Sequence, residues 1–304
     1  MDILALESSP NADAAVGEIR RYGLESNVVE LAAYGFTVIP PEKTAAAADF
    51  VPRLRDAILR TYGARNDDPV DDYLTADLNA GHQNAWWLLE EDEVFVEAAL
   101  NPVALAMARW MCGQSAILSG ASWILKGGNK AKSIGGYEQT DPLPLHNDTH
   151  AAPPPLPQYA QFCNTSWVLS DYSKEEHGPT VYVPGSHLFG RAPFAHEMEF
   201  TREDNPYRIV PLSVPEGSLA VWHGATWHGA LPRSTPGLRV TLVLAWMRAY
   251  MQPIQDWREL DPELIDRHPE LTRLLGLEHL YPFKYGDEEG RVEPLLEAGR
   301  DQFA

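Results

Sequence analysis

After Gly113 the chain is a succession of short apolar segments, AILSGASWIL, YAQFCNTSWVLS, TVYVP, RIVPLSV, SLAVWH and LRVTLVLAWMRAY, each set off by Gly, Pro, Asp or Ser. Many short strands at this spacing indicate an antiparallel sandwich or barrel. The first third reads differently. AAYGFTVIPPEK predicts a short strand that stops at Pro40-Pro41 ahead of a helix start. Phe50, Val51, Leu54 and Ile58 then recur at helical spacing, and Gly63 closes the run. Residues from about 90 to 111 predict two helical pieces broken at Asn101-Pro102, with Val94, Phe95 and Ala98, then Leu105, Ala108 and Met111, facing inward. Leu260, Leu264, Leu271, Leu274 and Leu275 return the chain to helix. The expected fold class is therefore mainly β with flanking helices. A chain of 304 residues is read as a single domain, with a helical part over about 1–113, a β core over about 114–250 and a helical extension over about 251–304.

Composition narrows the partners. A formal net charge of -19 repels a phosphate backbone, and no basic run interleaved with aromatics is present, so nucleic acid is not expected. The N-terminal residues lack a basic start and a long apolar run, so they do not read as a signal peptide. No stretch approaches the roughly 18 apolar residues of a membrane helix. A cytoplasmic protein with no membrane partner is expected. Cys112 and Cys163 are far apart in sequence and lack ligand spacing, so both are read as buried thiols. The glycosylation sequons at Asn147 and Asn164 are read as chance matches.

The segment PLPLHNDTH places His146 and Asp148 one residue apart. In an extended segment, positions i and i+2 project to one face, so an imidazole and a carboxylate can meet one metal ion. A third ligand must come from a distant strand, and EGSLAVWHGATWHGALPRSTPGLRVTL offers His223 and His228. Two histidines and one carboxylate form the facial triad of non-haem Fe(II) oxygenases, with positions left open for a chelating co-substrate and dioxygen. Arg239 opens the apolar run VTLVLAW, where its guanidinium would point into a barrel. A buried planar fork near a metal implies an anionic ligand, for which the distal carboxylate of 2-oxoglutarate is the obvious choice.

LHNDTH, EEHGPTVYVPGSHLFGR and TWHGALPRSTPGLRVTL together resemble the three blocks of the phytanoyl-CoA dioxygenase family, with YGFTVIP and RAYMQP as echoes at either end. The resemblance implies a double-stranded β-helix core, a cupin-like relative of the jelly roll, wrapped by helices. It implies His146, Asp148 and His228 as iron ligands and Arg239 as the 2-oxoglutarate anchor. His228 is preferred to His223 because the family's distal ligand is followed by Gly and, about eleven residues on, by the anchoring Arg. Ala230 departs from the family's frequent Ser, with Thr226, Ser234 and Thr241 as substitutes, and His177 stands where Asn is common. Related halogenases replace the carboxylate residue with Ala or Gly, so Asp148 argues for hydroxylation or another oxidation. The implied enzyme is a dioxygenase using Fe(II), 2-oxoglutarate and O2 on a small molecule, with succinate and carbon dioxide as co-products.

Other residues carry weaker signals. Trp167 is expected near the co-substrate pocket or in core packing. Lys126 ends a strand and is expected either to contact an anionic ligand or to be solvated. His82, Gln83, Trp86 and Trp87 suggest a substrate lid or a packing seam. His146 and His150 have the spacing of a zinc protease helix, but Glu does not follow His146 and a proline cluster comes next. PGSH reads as a turn with His187 structural. The rival reading, a cupin-like isomerase or a non-catalytic small-molecule binding module, has no use for an anion anchor at Arg239.

Overall fold

The short apolar segments pair into two antiparallel sheets in a computed structural model that describes residues 10–78, 82–128, 142–149 and 152–278. The chain begins with α1 (Pro10–Tyr22) and α2 (Glu25–Tyr34), neither of which was read from sequence, and continues through β1 (Phe36–Ile39) and α3 (Phe50–Asn66). Next come β2 (His82–Ala85), α4 (Glu93–Ala99) and α5 (Pro102–Cys112), then β3 (Ile117–Lys126), β4 (Leu143–His146), β5 (Phe162–Val168) and β6 (Thr180–Tyr182). A short α6 (Ala195–Met198) precedes β7 (Val210–Pro211), β8 (Leu219–His223), β9 (His228–Ala230) and β10 (Arg239–Met247), and α7 (Pro262–Arg267) and α8 (Glu270–Leu274) follow.

Local chemistry explains the helix boundaries. Asn101 accepts from the amides of Val103 and Ala104 at 3.1 and 3.0 Å, and Pro102 occupies the first helical position, so the break between α4 and α5 sits where the sequence places it. Asp92 and Asp261 cap α4 and α7 in the same way. Gly63 does not end α3. The helix runs on to Asn66 and stops at Asp67, which takes a left-handed conformation at φ 50°. Among the described residues no single helix is long and apolar enough to cross a membrane.

One sheet has the order β1-β8-β5-β10-β3-β2 and the other β4-β9-β6-β7, the two-sheet layout of the expected jelly roll. The six-stranded sheet separates the core from the site. Val240, Leu242, Leu244 and Trp246 of β10 project to one face, with Trp123 of β3 and Trp167 of β5, and pack against α3, α4 and α5. Full burial of such side chains contributes roughly 1.5–3 kcal/mol each. The thiols of Cys112 and Cys163 are buried as expected, and folding brings their sulfurs to 3.6 Å across α5 and β5.

The four-stranded sheet is braced by a polar node beside β9. Glu197 on α6 accepts from Arg191 at 2.6 and 2.9 Å, from the hydroxyl of Tyr207 and from the amide of Phe194 at 2.7 Å. Arg191 also lies over the ring of Trp227, whose Nε1 donates to the Arg191 carbonyl at 2.9 Å. The Arg191 bonds, working against burial, hold the Glu197 carboxyl down to about 2. A depressed folded-state value stabilises the protein above the ordinary glutamate range, and the contribution is lost as pH falls through that range toward 2. Glu197→Gln is therefore expected to cost about 2 kcal/mol at neutral pH, less than full linkage because Arg191 keeps part of its side chain in water. Urea unfolding of both proteins should show the gap closing between about pH 4.5 and 2.

Candidate active site

His146 ends β4, His228 opens β9, and the two residues face each other directly in the antiparallel register. Their imidazole centroids are 4.2 Å apart. Because β4 stops at His146, Asp148 lies in coil, not on a strand as the i, i+2 argument assumed. Its amide donates to the carbonyl of Gly224 at 2.7 Å, which turns the loop back toward β9. Asp148 Oδ1 then lies 3.9 Å from His146 Nε2, and Oδ2 lies 3.3 Å from His228 Nε2. One potential ligand atom from each of the three residues falls within 4.8 Å of the others.

The ring orientations suit a cation. Nδ1 of His146 donates to the Pro144 carbonyl and Nδ1 of His228 to the Thr226 carbonyl, each at 3.0 Å. Both rings are thereby oriented with Nε2 toward the carboxylate, the nitrogen that each would offer to a metal ion. Burial, and secondarily the neighbouring His228, pushes His146 below its ordinary value. Burial also opposes charge on His228, but the charge and hydrogen bond of Asp148, together with the Thr226 carbonyl, outweigh it and the net shift is upward. Two imidazole nitrogens and one carboxylate on one side of a cavity are the donor set of a non-haem Fe(II) centre, and the residues present fit that metal.

A cavity of about 350 Å³ joins this cluster to Arg239. Along β10, Arg239, Thr241, Val243 and Ala245 alternate onto its wall, while the intervening residues enter the helical core. Arg239 is 2% exposed. Its Nη1 donates to the Gly178 carbonyl at 2.6 Å, and its guanidinium lies 5.5 Å from the centre of the Tyr172 ring. Its Nε is buried without a hydrogen-bond partner, and among the described residues no carboxylate pairs with it. Gly178 sits at φ +70°, and a Cβ there would meet the backbone of Arg233 at 2.9 Å, so the turn that aims its carbonyl requires glycine. A buried cation so placed calls for an anionic ligand.

Other residues named from sequence fall in different places. Trp167 is on the far face of β5 from Phe162, Asn164 and Ser166, all of which line the cavity. It packs edge-on to Phe50 at 4.8 Å, so the core-packing alternative describes it. Lys126 is not solvated. It is 4% exposed, donates to the Leu231 carbonyl at 2.7 Å, and is not part of the cavity wall. His223 is away from the triad, with its ring 5.4 Å from that of His187, and burial followed by that neighbour pushes it down to about 4. Thr241 lines the cavity, whereas Thr226 and Ser234 do not. Thr180 also lines it, directly across from Ala230 in the β6–β9 register, where it offers the hydroxyl that Ala230 lacks. Trp86 forms part of the wall, while Trp87 is 45% exposed and meets Trp257 edge-on. His150 and the side chains of His82 and Gln83 lie outside the described residues.

Sequence reasoning missed Asn164, Trp222, Ser166 and Thr180, which line the same cavity. Their only signal was position on alternating strands, and that becomes informative once the inner face is known.

A sequence model of the phytanoyl-CoA dioxygenase (PhyH) family matches residues 31–241. The chain belongs to the phytanoyl-CoA dioxygenase family. Membership carries the coarse activity, that of an Fe(II)- and 2-oxoglutarate-dependent dioxygenase. This family member is 25% identical to dioxygenase af480 of Aspergillus fumigatus over 271 residues, which is 87% of this chain and 80% of the relative. Its fold is similar to that of HygX from Streptomyces hygroscopicus, solved with nickel and 2-oxoglutarate bound. The TM-score is 0.59 and the identity 19%, with 78% of this chain and 90% of HygX covered. It is also similar to the epimerase SnoN, solved in complex with Fe3+, alpha ketoglutarate and nogalamycin RO. That TM-score is 0.56 and the identity 20%, with 80% and 93% of the two chains covered.

The β4–β9 pairing that aligns the two histidines depends on Gly229. A Cβ there would lie 2.4 Å from the Leu143 carbonyl and 3.1 Å from that of Pro144. Gly229→Ala is expected to cost about 1–3 kcal/mol of stability and to weaken Fe(II) binding about tenfold. Thermal unfolding and anaerobic Fe(II) titration check the two effects separately.

Proposed function

We propose that His146, Asp148 and His228 hold Fe(II) and that Arg239 anchors the distal carboxylate of 2-oxoglutarate. We further propose that the chain works as a single catalytic domain that hydroxylates an uncharged small organic metabolite or natural-product intermediate. The observation that carries this reading is the meeting of the triad and a buried guanidinium in one cavity. A cupin-like isomerase that takes no 2-oxoglutarate, or a simple binding module, has no use for the guanidinium.

Iron at this site supplies a two-electron oxidation in which dioxygen and 2-oxoglutarate yield succinate, carbon dioxide and one oxygen atom for the substrate. The chain contributes position and environment. Arg239 neutralises and orients the far carboxylate of the co-substrate, with the hydroxyls of Ser166, Thr180 and Thr241 along the same cavity. Away from Arg239, Trp86, Phe162, Ala245 and Ile254 make an apolar wall that sheds water from the reacting face. Arg239 is the one cation lining the cavity among the described residues, and the co-substrate engages it. An uncharged substrate matches the remaining surface, and a coenzyme A thioester does not. HygX has been solved with hygromycin B bound and SnoN with nogalamycin RO, which supports a small organic molecule as the substrate.

Anaerobic addition of 2-oxoglutarate to the Fe(II)-loaded protein is expected to produce the weak visible charge-transfer band of the chelate, and absence of the band would remove the co-substrate assignment. His146→Ala should abolish tight Fe(II) binding. Arg239→Ala should raise the KM for 2-oxoglutarate about 30-fold, the factor for a charge-assisted contact worth about 2 kcal/mol. A substrate screen by succinate release, followed by product mass, tests the reaction type. Hydroxylation adds one oxygen atom, desaturation or ring closure removes two hydrogens, and epimerisation leaves the mass unchanged.

A further inference from the structure

Asp148 is the only one of the three candidate ligands that is not on a strand, so its orientation must be set by something other than sheet geometry. Its carboxylate is met from the opposite sheet. Asn164 Nδ2 donates to Asp148 Oδ2 at 2.8 Å, and Trp222 Nε1 donates to the same oxygen at 3.4 Å. These donors are a cross-strand pair, since Asn164 of β5 and Trp222 of β8 are directly opposed in register. Both residues are buried, at 3% and 5% exposure, and both line the cavity. Trp222 also packs its ring 5.3 Å from that of His228.

We propose that Asn164 and Trp222 are positioning residues for the metal centre: together they hold Asp148 through Oδ2 and set the plane in which its carboxylate approaches the cation. The inference rests on the reading of His146, Asp148 and His228 as iron ligands. An aspartate carboxylate turns in a broad, roughly two-fold well about its last torsion, so a ligand in coil pays an ordering cost each time it binds. Two N–H donors on one oxygen remove that freedom before the metal arrives. Both donors are neutral, so they stabilise the ionised carboxylate without cancelling the charge that attracts the cation. A lysine or arginine in either place would compete with the metal for that charge. The same two bonds tie the loop after β4 to the six-stranded sheet, and they couple the placement of the carboxylate to the wall that carries Arg239.

The test is metal affinity, measured on the full chain by anaerobic Fe(II) titration and by the visible absorption of the Co(II)-substituted protein. Asn164→Leu keeps the volume and removes the donor. Trp222→Phe keeps an aromatic ring beside His228 and removes the indole N–H together with part of the ring volume, a loss that the control shares. Trp246→Phe is the control, since it removes a comparable buried indole bond, to Thr165 Oγ1 at 2.9 Å, on the opposite face of the same sheet. The expected result is a rise in metal Kd of about 10-fold or more for Asn164→Leu, with a smaller rise for Trp222→Phe in keeping with its longer bond. An altered Co(II) spectrum should accompany both. Trp246→Phe should leave Kd and spectrum unchanged while lowering the urea midpoint as the others do. If Asn164→Leu fails to fold, Trp222→Phe decides alone. Wild-type affinity and spectrum in the folded variants would overturn the proposal while leaving the triad standing. Failure of the wild-type protein to bind either metal, or binding undiminished by His146→Ala, would overturn the triad itself and this proposal with it.

Discussion

Strand β10 is covered on both faces, and the rest of the architecture follows from that double burial. Its outward residues, Val240, Leu242, Leu244 and Trp246, need helices to shield them, and α3, α4 and α5 supply the shield. Its inward residues, Arg239, Thr241, Val243 and Ala245, face a cavity closed on the far side by the second sheet. A strand in this position cannot show polar and apolar alternation of the surface kind. It shows instead a switch in chemistry along one face, from a guanidinium at one end to small apolar side chains at the other. That gradient separates an anion-binding end of the cavity from an apolar end.

The buried guanidinium is the most expensive group in this arrangement. The chain is strongly acidic, yet Arg239 has no carboxylate partner among the described residues and relies on a backbone carbonyl and the face of Tyr172. Pairing it with a fixed carboxylate would have been the stabilising solution, and it would also have closed the site to an anionic ligand. The triad shows the complementary choice. Its carboxylate lies between the two imidazoles and accepts from the neutral N–H groups of Asn164 and Trp222, which stabilise its charge without neutralising it. Net charge of the whole chain says little about either end, because each is governed by groups within a few ångströms in a partly enclosed cavity.

Where sequence reading succeeded, the signal was local. Asn101-Pro102 marks a helix boundary through one cap and one missing amide, and both act within three residues. The strands of the second half were legible because turn residues bracket runs long enough to show a pattern. The extents of β4 and β9 were not legible, because four and three residues are too few for periodicity, so the extended segment expected at His146 was carried on through Asp148, which lies in coil. Trp167 shows the opposite difficulty. Its strand was recognised, but a one-residue difference in phase separates the cavity face from the core face, and composition cannot choose between them when both faces are buried.

The sequence by itself determined the class of fold, the chemistry of the donor set and the spacing from His228 to Arg239, because these depend on residue type and on short-range pattern. Only the tertiary structure decided that His146 and His228 meet as a cross-strand pair, that Asp148 is held by Asn164 and Trp222 from the other sheet, and that Thr180 stands across from Ala230. These are contacts between segments up to 82 residues apart along the chain. Strand register sets them, and register is a property of two strands together, which no single stretch of sequence contains.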